Sequence, residues 1–265
     1  MKKEILVVIS VTLVVVIVGC GLWLGWYALD SHHQKEAFAG LSQEFVLEEQ
    51  EAEEQPSGTA PTEETSTVTL AVGDSNTPPR HDLAALQAEN PDCVGWLTIP
   101  DTPVDYPVMF TPSEPEHYLR RDFYGQSASG GTPFLDGRNV AQVEGQNLIV
   151  YGHNMLDGSM FKPIMQYLEP SFRQTHQDIY LELGGTQYRY QVLAVLETTV
   201  DSPVYRYTDL SDPAAESDFR AALFDAANLD VIHHTEWYLT LSTCGDWGGD
   251  TRVLVVARLA EVVGE

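Results

Sequence analysis

An uncharged apolar run from Ile5 to Leu29 restricts what this chain can form more than any other feature of its sequence. As an α-helix the run is ~37 Å long, enough to cross the ~30 Å hydrocarbon core of a bilayer with some tilt. Two lysines precede it, which favours a cytoplasmic N-terminus, and Trp23, Trp26 and Tyr27 suit the outer interface. The sequence therefore predicts a cytoplasmic end at residues 1–4, a single-pass transmembrane anchor at 5–29, and an extracellular location for the remaining chain.

Two other interpretations of the apolar run stay open, and both export the same following segment. A signal peptide would be cleaved off, although no clear small-x-small cleavage site follows the run. The residues from Ile17 to Cys20 are similar to a bacterial lipoprotein cleavage site, which would make Cys20 a lipidated N-terminus. The uncleaved anchor is favoured because Gly21 to Leu29 stays apolar where a lipoprotein normally becomes polar.

Residues 30–80 are predicted to form an acidic, disordered extracellular tether. No basic residue lies between Lys35 and Arg80, acidic residues are frequent there, and Ser, Thr, Pro and Gly dominate the second half. Such a segment buries too little apolar surface to order itself, and its like charges repel one another. The whole chain has a net charge of −25, so nucleic acid is excluded as a partner and the lipid bilayer is expected to be contacted only through 5–29.

The remaining residues, 81–265, are enough for one domain with a sizeable core. They contain a short helical pattern at the start, then eight short apolar runs separated by Gly, Pro and Asp clusters. Two further helical patterns interrupt these runs, the second beginning with a cap at Ser211 or Asp212. The sequence thus predicts a mostly β domain, a closed or nearly closed antiparallel barrel with added short helices. The predicted strands are VGWLTI, VDYPVMF, GTPFLD, NLIVYGH, DIYLELGG, QYRYQVLAVLETTV, WYLTLSTC and TRVLVVARL.

Reactive side chains are found at the ends of three of these runs. Cys244 ends one apolar strand, and Arg252 begins the next after the glycine-rich connection Gly245–Thr251. If the two strands are antiparallel neighbours, the guanidinium lies beside the thiol, where it favours the thiolate and can stabilise an oxyanion. A nucleophilic cysteine also needs a proton carrier, and His153 ends a third strand in the same way. We therefore expect a cysteine nucleophile served by His153 and Arg252, with a hydrogen-bonded structural histidine as the alternative for His153.

The other cysteine chemistry to consider is a disulfide or a metal site. Beyond the apolar run the chain has only Cys93 and Cys244, so a single bridge between them is the alternative to a free thiol. That alternative would make the domain a non-enzymatic exported binding barrel. Cys93, at the start of a strand, is expected instead to be a small buried apolar residue. No CxxC, HxxxH or HExxH spacing occurs, so no metal site is predicted.

Together these residues resemble the sortase family, and specifically its class B members. The resemblance is carried by TLSTC followed by Arg252, by NLIVYGHNMLDGSMF, and by the blocks ENPDCVGWLTIPDTPVDYPVM, HYLRRDF and GGTPFLDGRN. It covers nearly all of the folded part. The resemblance implies an eight-stranded sortase-type β-barrel and a membrane-bound cysteine transpeptidase of Gram-positive-type bacteria. It also implies that Cys244 is the nucleophile, His153 the general acid and base, and Arg252 the stabiliser of the substrate carbonyl and oxyanion.

The resemblance implies the substrates as well. Such an enzyme cleaves a five-residue sorting signal near the C-terminus of a surface protein and holds the acyl part as a thioester. It then transfers the acyl part to an amine of a peptidoglycan cross-bridge precursor, or to a pilin lysine, and it requires no cofactor. Transfer to water, by a membrane-tethered cysteine endopeptidase, is the alternative with the same first step.

Further site residues follow from the same resemblance. Tyr151 and Ser242 flank the two catalytic strand ends and are similar to substrate-groove positions, as is Tyr118; simple strand packing is their alternative. Asp246 is the candidate to orient His153, with a solvated turn residue as its alternative. Many class B relatives have Asp-Asn where this chain has Glu114-Pro115. A substrate contact made by that asparagine is therefore not expected in this chain.

Overall fold

The structure is a computed structural model that describes residues 2–47, 77–227, 237–245 and 249–264. In this part of the chain the helices and strands follow the predicted order closely. The helices are α1 (Lys2–Glu44), α2 (Leu83–Glu89), α3 (Lys162–Gln166), α4 (Pro170–Thr175) and α5 (Pro213–Ala227), with 3₁₀ turns at His117–Arg120 and Pro203–Arg206. The strands are β1 (Cys93–Thr98), β2 (Asp105–Met109), β3 (Phe134–Leu135), β4 (Asn147–Tyr151), β5 (Asp178–Leu183), β6 (Thr186–Thr199), β7 (Tyr238–Cys244) and β8 (Thr251–Gly264).

The eight strands close into a barrel in the order β1-β2-β3-β4-β7-β8-β6-β5. The predicted closed barrel is therefore confirmed, and so are its short additional helices. The prediction that it is antiparallel throughout is corrected, because β2 pairs with β3 and β4 pairs with β7 in parallel. The chain leaves β4, passes through β5, β6 and α5, and only then enters β7 beside β4. Such a long crossover lets two neighbouring strands run in the same direction.

The strands that carry the predicted site are buried on both faces. On the inner face Leu239 and Leu241 of β7 join the main core, while on the outer face Tyr238 packs in a second cluster with Phe219 and Leu223 of α5. Helix α5 begins as predicted at a cap, where Asp212 Oδ1 accepts from the Ala214 N–H at 2.9 Å. A strand enclosed from both sides has little freedom to shift, so the end of β7 is held rigidly.

The first helix continues well beyond the apolar run. Its apolar part is exposed, and by length and composition the helix could cross a membrane. It then extends to Glu44, and Ser31, Gln34, Phe38 and Leu41 are all buried against the barrel. These four positions recur at intervals of three and four residues, which places them on one face of a helix.

The predicted tether is revised by this helix. Residues 30–47 are almost entirely helical and pack on the domain, because Phe38 and Leu41 find a buried apolar surface there. The sequence pattern concealed this because two of the four buried positions are polar. A tether at 48–76 stays a prediction, since those positions lie outside the described residues.

Candidate active site

The parallel pairing of β4 with β7 brings His153 and Cys244 to one edge of the barrel. Tyr151 lies opposite Ser242, and the predicted pair lies two residues further along each chain. Because the strands run in the same direction, their carboxyl ends meet at the same edge. Two hydrogen bonds extend this alignment past the end of β4: the Gly152 N–H donates to the Ser242 carbonyl at 3.1 Å, and the Thr243 hydroxyl donates to the Gly152 carbonyl at 2.8 Å.

Arg252 lies on the other side of Cys244. The two residues are direct partners in the antiparallel pairing of β7 with β8, as the sequence predicted. Through Nη1 the Arg252 guanidinium donates to the Thr251 carbonyl at 2.8 Å and to the Gly249 carbonyl at 3.1 Å. The remaining N–H groups of its planar fork have no such bond among the described residues. The three adjacent strands β4, β7 and β8 thus present imidazole, thiol and guanidinium side by side.

The hydrogen bonding of His153 determines its tautomer. Nε2 lies 2.8 Å from the Leu119 carbonyl, and because a carbonyl only accepts, Nε2 carries the hydrogen. In the neutral ring Nδ1 then has a free lone pair. Burial lowers the pKa of His153 below its ordinary value of 6.5; the Arg120 charge lowers it too, while the bond to Leu119 acts in the opposite direction. The imidazole is therefore held neutral at physiological pH.

Asn154 joins the loop after β4 to the end of β7. Its Nδ2 donates to the Cys244 carbonyl at 3.0 Å. The backbone of Phe161 approaches from the other side, where its N–H donates to the His153 carbonyl at 2.8 Å. These two hydrogen bonds hold the backbone of the His153–Asn154 segment against the end of β7 on one side and against Phe161 on the other.

An open groove of about 620 Å³ runs over this edge of the barrel. His153, Cys244 and Arg252 all line it, and so do Tyr151 and Ser242, which the sequence placed in a substrate groove. The rest of its wall comes from the segment before β3, the β3–β4 connection and the 3₁₀ turn after β6. These further lining residues include Pro115, Glu116, Leu119, Phe134, Asp136, Arg138, Val200 and Tyr205.

Tyr205 is a groove residue that sequence reasoning missed. It lies in the 3₁₀ turn Pro203–Arg206, its hydroxyl is 2.7 Å from Ser242 Oγ, and its ring stacks on Tyr151 with centroids 6.3 Å apart. Burial raises its pKa; the hydrogen bond to Ser242 and the charge of Arg252 oppose that rise. No local pattern marks this turn, because only the packing of the long β6–β7 connection places it over the groove.

A second missed group is the ion pair between Asp136 and Arg138. Arg138 binds Asp136 through two N–H groups at 2.7 and 2.8 Å, and the Tyr151 hydroxyl donates to the same carboxylate at 2.8 Å. Burial acts to raise the pKa of Asp136, but the hydrogen bonds from Arg138 and Tyr151 outweigh it and the pKa is lowered. Both residues belong to the GGTPFLDGRN block, so that block was the signal that could have identified them.

Among the described residues, Tyr118 is a predicted substrate residue that does not line the groove. Tyr118 is 2% exposed and points away from it: its hydroxyl donates to Asp92 at 2.9 Å and accepts from Asn90 at 2.8 Å. In the tight 3₁₀ turn successive side chains face different directions, so the neighbouring Leu119 lines the groove instead. Asp246 lies outside the described residues.

The cysteines do not form the disulfide that was the alternative to a reactive thiol. Cys93 and Cys244 are both free. Cys93 is completely buried in the main core, as expected for a small apolar residue, and burial raises the pKa of its thiol to about 12. Among the described residues no cluster of three or more His, Cys, Asp or Glu side chains could hold a metal ion.

Comparison with known proteins agrees with this geometry. A family model described as the sortase domain matches residues 97–260. Sortase B of Listeria monocytogenes is 36% identical over 171 residues, which is 62% of this chain and 68% of that protein. The chain belongs to the sortase family. Sortase B of Staphylococcus aureus is 30% identical to this sortase over 191 residues, covering 69% and 76% of the two chains.

Solved structures show the same relationship. A crystal structure of sortase B from Bacillus anthracis superposes with a TM-score of 0.67 and 28% identity, over 88% of this chain and 99% of that one. A structure of a sortase B–substrate complex from S. aureus superposes with a TM-score of 0.60 and 29% identity, and the match covers 68% of this chain and 84% of that one. The predicted class B resemblance is thereby confirmed. The sortase is a cysteine transpeptidase, and its family implies processing of cell-wall surface proteins.

Proposed function

We propose that this sortase cleaves a C-terminal sorting signal through a thioester on Cys244 and transfers the acyl group to an amine of a cell-wall precursor. The observation that carries the proposal is the convergence of His153, Cys244 and Arg252 around one open groove, on three adjacent strands. A groove of about 620 Å³ has room for several residues of an extended peptide. A peptide in it passes the thiol and the guanidinium side by side.

In the first step Nδ1 of neutral His153 accepts the Cys244 thiol proton while the sulfur attacks the carbonyl carbon of the scissile bond. The carbonyl oxygen takes up negative charge, and the free N–H groups of Arg252 are the donors beside it. When the tetrahedral intermediate collapses, the C–N bond breaks and the leaving nitrogen takes a proton from His153. The products of this step are an acyl thioester and a free C-terminal fragment with an amine end.

In the second step an incoming amine attacks the thioester carbon. Neutral His153, whose Nδ1 lone pair is free, accepts the amine proton as the new C–N bond forms and the Cys244 sulfur leaves. The lowered pKa of His153 suits this role, because the base form dominates at neutral pH. Arg252 again faces the oxyanion.

The groove walls supply the substrate contacts. Tyr151 and Tyr205 present two stacked aromatic rings to the peptide, and Ser242 is fixed to the Tyr205 hydroxyl. Asp136 and Arg138 form a charged end to this wall, and Nη1 of Arg138, which has no hydrogen bond to any residue that the structure describes, is a donor for a peptide carbonyl or amide side chain. Tyr118 supports the wall from behind rather than contacting the peptide.

The membrane arrangement is part of the same proposal. Residues 1–4 lie in the cytoplasm and residues 5–29 cross the membrane once. Residues 30–80 connect this anchor to the catalytic domain at 81–265, which lies outside the cell. The absence of charge from Ile5 to Leu29 and the two preceding lysines support it. Protease added to intact protoplasts should degrade the catalytic domain, and protection of that domain would contradict the orientation.

The proposed reaction is tested with the purified full-length protein in detergent. A library of peptides resembling sorting signals is incubated with and without triglycinamide, and the products are identified by mass spectrometry. We expect an acyl–triglycinamide product whose yield rises with the amine concentration, and no product from Cys244→Ala. If the rate of cleavage and the product are the same with and without the amine, the protein is the endopeptidase instead.

A further inference from the structure

The part of α1 that packs on the barrel (residues 30–41, called here the docked part of α1) contacts both loops that hold His153. One is the loop after β4, which carries His153 itself and continues to Phe161. The other is the segment before β3, where the Leu119 carbonyl accepts from His153 Nε2 at 2.8 Å. The helix that contains the apolar run is therefore connected to the imidazole by two separate routes.

The loop after β4 is bound to α1 through Asp157. Lys35 Nζ donates to the Asp157 carboxylate at 2.8 Å and to its backbone carbonyl at 3.0 Å, and the Ser31 hydroxyl donates to the same carboxylate oxygen as Lys35. The other carboxylate oxygen accepts from the N–H and the hydroxyl of Ser159, at 3.1 and 2.6 Å. Burial acts to raise the pKa of Asp157, but these hydrogen bonds outweigh it and the pKa is lowered. Asp157 therefore stays ionised and joins α1 to the loop.

A second contact reaches the end of the same loop. Phe38 is buried and packs edge-to-face on Tyr106, with ring centroids 5.1 Å apart. The Tyr106 hydroxyl accepts from the Met160 N–H at 3.2 Å. Met160 has a φ of 53°, a left-handed conformation that costs free energy for a residue other than glycine. The next residue, Phe161, donates to the His153 carbonyl, so the strained position lies directly before the bond that holds His153.

The segment before β3 is bound to α1 through Gln34. This side chain is buried, and its Oε1 accepts from the Gly130 N–H at 3.0 Å. The next residue, Gly131, lies so close to Leu119 that a Cβ there would be 2.4 Å from the Leu119 carbonyl oxygen. That oxygen is the one that accepts from His153 Nε2. A shift of this segment therefore moves the acceptor that fixes the tautomer of His153.

We propose that the docked part of α1 positions His153 for catalysis, with Gln34 and Lys35 as positioning residues that act through the two loops. The inference rests on the proposed transpeptidase function, in which His153 moves the protons of both steps. Neither Gln34 nor Lys35 lines the peptide groove. Their loss should therefore misplace the imidazole without removing a substrate contact. The anchor helix thus does more than attach the domain to the membrane, because its docked part completes the support of the base.

Peptide cleavage by the full-length protein in detergent tests the kinetic consequence. Gln34→Leu keeps the approximate size of the side chain but removes its acceptor, and Lys35→Met keeps the stem without the charge. Each variant releases one of the two loops, so each should lower kcat and kcat/KM equally, by about tenfold, and leave KM unchanged. Lys35→Arg retains the cation and should restore about half or more of the wild-type kcat. The Lys35 side chain is 49% exposed, so its replacement does not endanger the fold.

Ser42→Ala is the matched control. It breaks another hydrogen bond from α1 to the barrel, the one from the Ser42 hydroxyl to Asp105 at 2.5 Å, which belongs to neither loop. Ser42→Ala should lower the melting temperature about as much as Gln34→Leu, because each removes one hydrogen bond of the docked helix. It should leave kcat unchanged, which separates the positioning of His153 from a general loosening of α1.

The tautomer of His153 provides a readout that needs neither a sorting signal nor turnover. Histidine labelled with nitrogen-15 is incorporated into the full-length protein, and His153→Gln identifies the signals of this ring. At a pH where the imidazole is neutral, the wild type and Ser42→Ala should carry the hydrogen on Nε2. Gln34→Leu should give a mixture of the two tautomers, since the Leu119 carbonyl is no longer held in place.

The outcomes separate this inference from the proposed function. If the wild type cleaves no peptide, the transpeptidase function is refuted, while the tautomer of His153 still tests the positioning role. Wild-type kcat in Gln34→Leu and Lys35→Met, no rescue by Lys35→Arg, or an equal loss of kcat in Ser42→Ala would refute the positioning role and leave the cleavage reaction standing. So would an unchanged tautomer in Gln34→Leu.

Discussion

Gly152, the residue before His153, is a position where one methyl group should disturb the proposed site. A Cβ there would lie 2.5 Å from Cγ of Phe161 and 2.7 Å from both of its Cδ atoms. Phe161 is completely buried, so its ring cannot move into solvent. The backbone of Phe161 is also bonded to the His153 carbonyl. Gly152→Ala must therefore shift the ring, the strand end or both, and either movement displaces His153.

The size of the effect follows from the depth of this overlap. Overpacking a filled core costs about 1–3 kcal/mol, which for a domain of this size lowers the melting temperature by about 2–12 °C. A displacement of the base by ~1 Å lowers the rate by about a hundredfold. We expect both losses in Gly152→Ala, measured by thermal unfolding of the full-length protein and by kcat/KM for peptide cleavage.

Two further variants decide whether the reasoning is right. Gly40→Ala makes the same chemical change at an exposed position of α1 with no atom within 4 Å, so it should leave stability unchanged or raise it by up to ~1 kcal/mol. Phe161→Leu removes ring atoms at the site of overlap, so the double variant with Gly152→Ala should lose less than the sum of the two single losses. If Gly152→Ala melts and turns over like the wild type, or if the two losses simply add, the overlap is not what fixes His153.

The remaining predictions concern the three reactive groups. Cys244→Ala should form no thioester by mass spectrometry yet melt within about 2 °C of the wild type, since the side chain lines an open groove; a large loss of stability would assign it a packing role. Arg252→Ala should lower kcat/KM by about 10²–10³, the cost of losing an oxyanion donor, whereas normal turnover would remove Arg252 from the mechanism. Burial lowers the pKa of His153 below 6.5, so the rate of deacylation divided by the concentration of unprotonated amine should stay constant down to a pH below 6.5; an inflection of this corrected rate above that value would contradict a buried, neutral base. As the pH falls, His153 becomes protonated in the unfolded chain at a higher pH than in the folded protein. The free energy of unfolding should therefore decrease as the pH drops below about 6.5, and His153→Gln should reduce this pH dependence.

Much of the site was open to prediction because its residue types are few and occur at recognisable places. A short connection makes two consecutive strands antiparallel neighbours. A cysteine at the end of the first strand and an arginine at the start of the second must then lie close together. The structure reproduces that pairing of Cys244 with Arg252. His153 was harder to assign, because the strand it follows is far from β7 in the chain: its strand-end position indicated a proton carrier, but a structural histidine stayed open as the alternative until the family resemblance was considered.

The sequence alone determined the eight strands and the apolar helix, and it supplied the three candidate reactive groups, because these depend on local patterns of apolar and charged residues. Only the tertiary structure decided that β4 runs parallel to β7, that α1 packs on the barrel through residue 41, and that Tyr118 turns away from the groove while Tyr205 enters it. The physical reason is distance along the chain: the Thr243–Gly152 hydrogen bond joins residues 91 positions apart. Local propensity fixes what each segment becomes, whereas its partner and the face it buries depend on how every intervening segment packs.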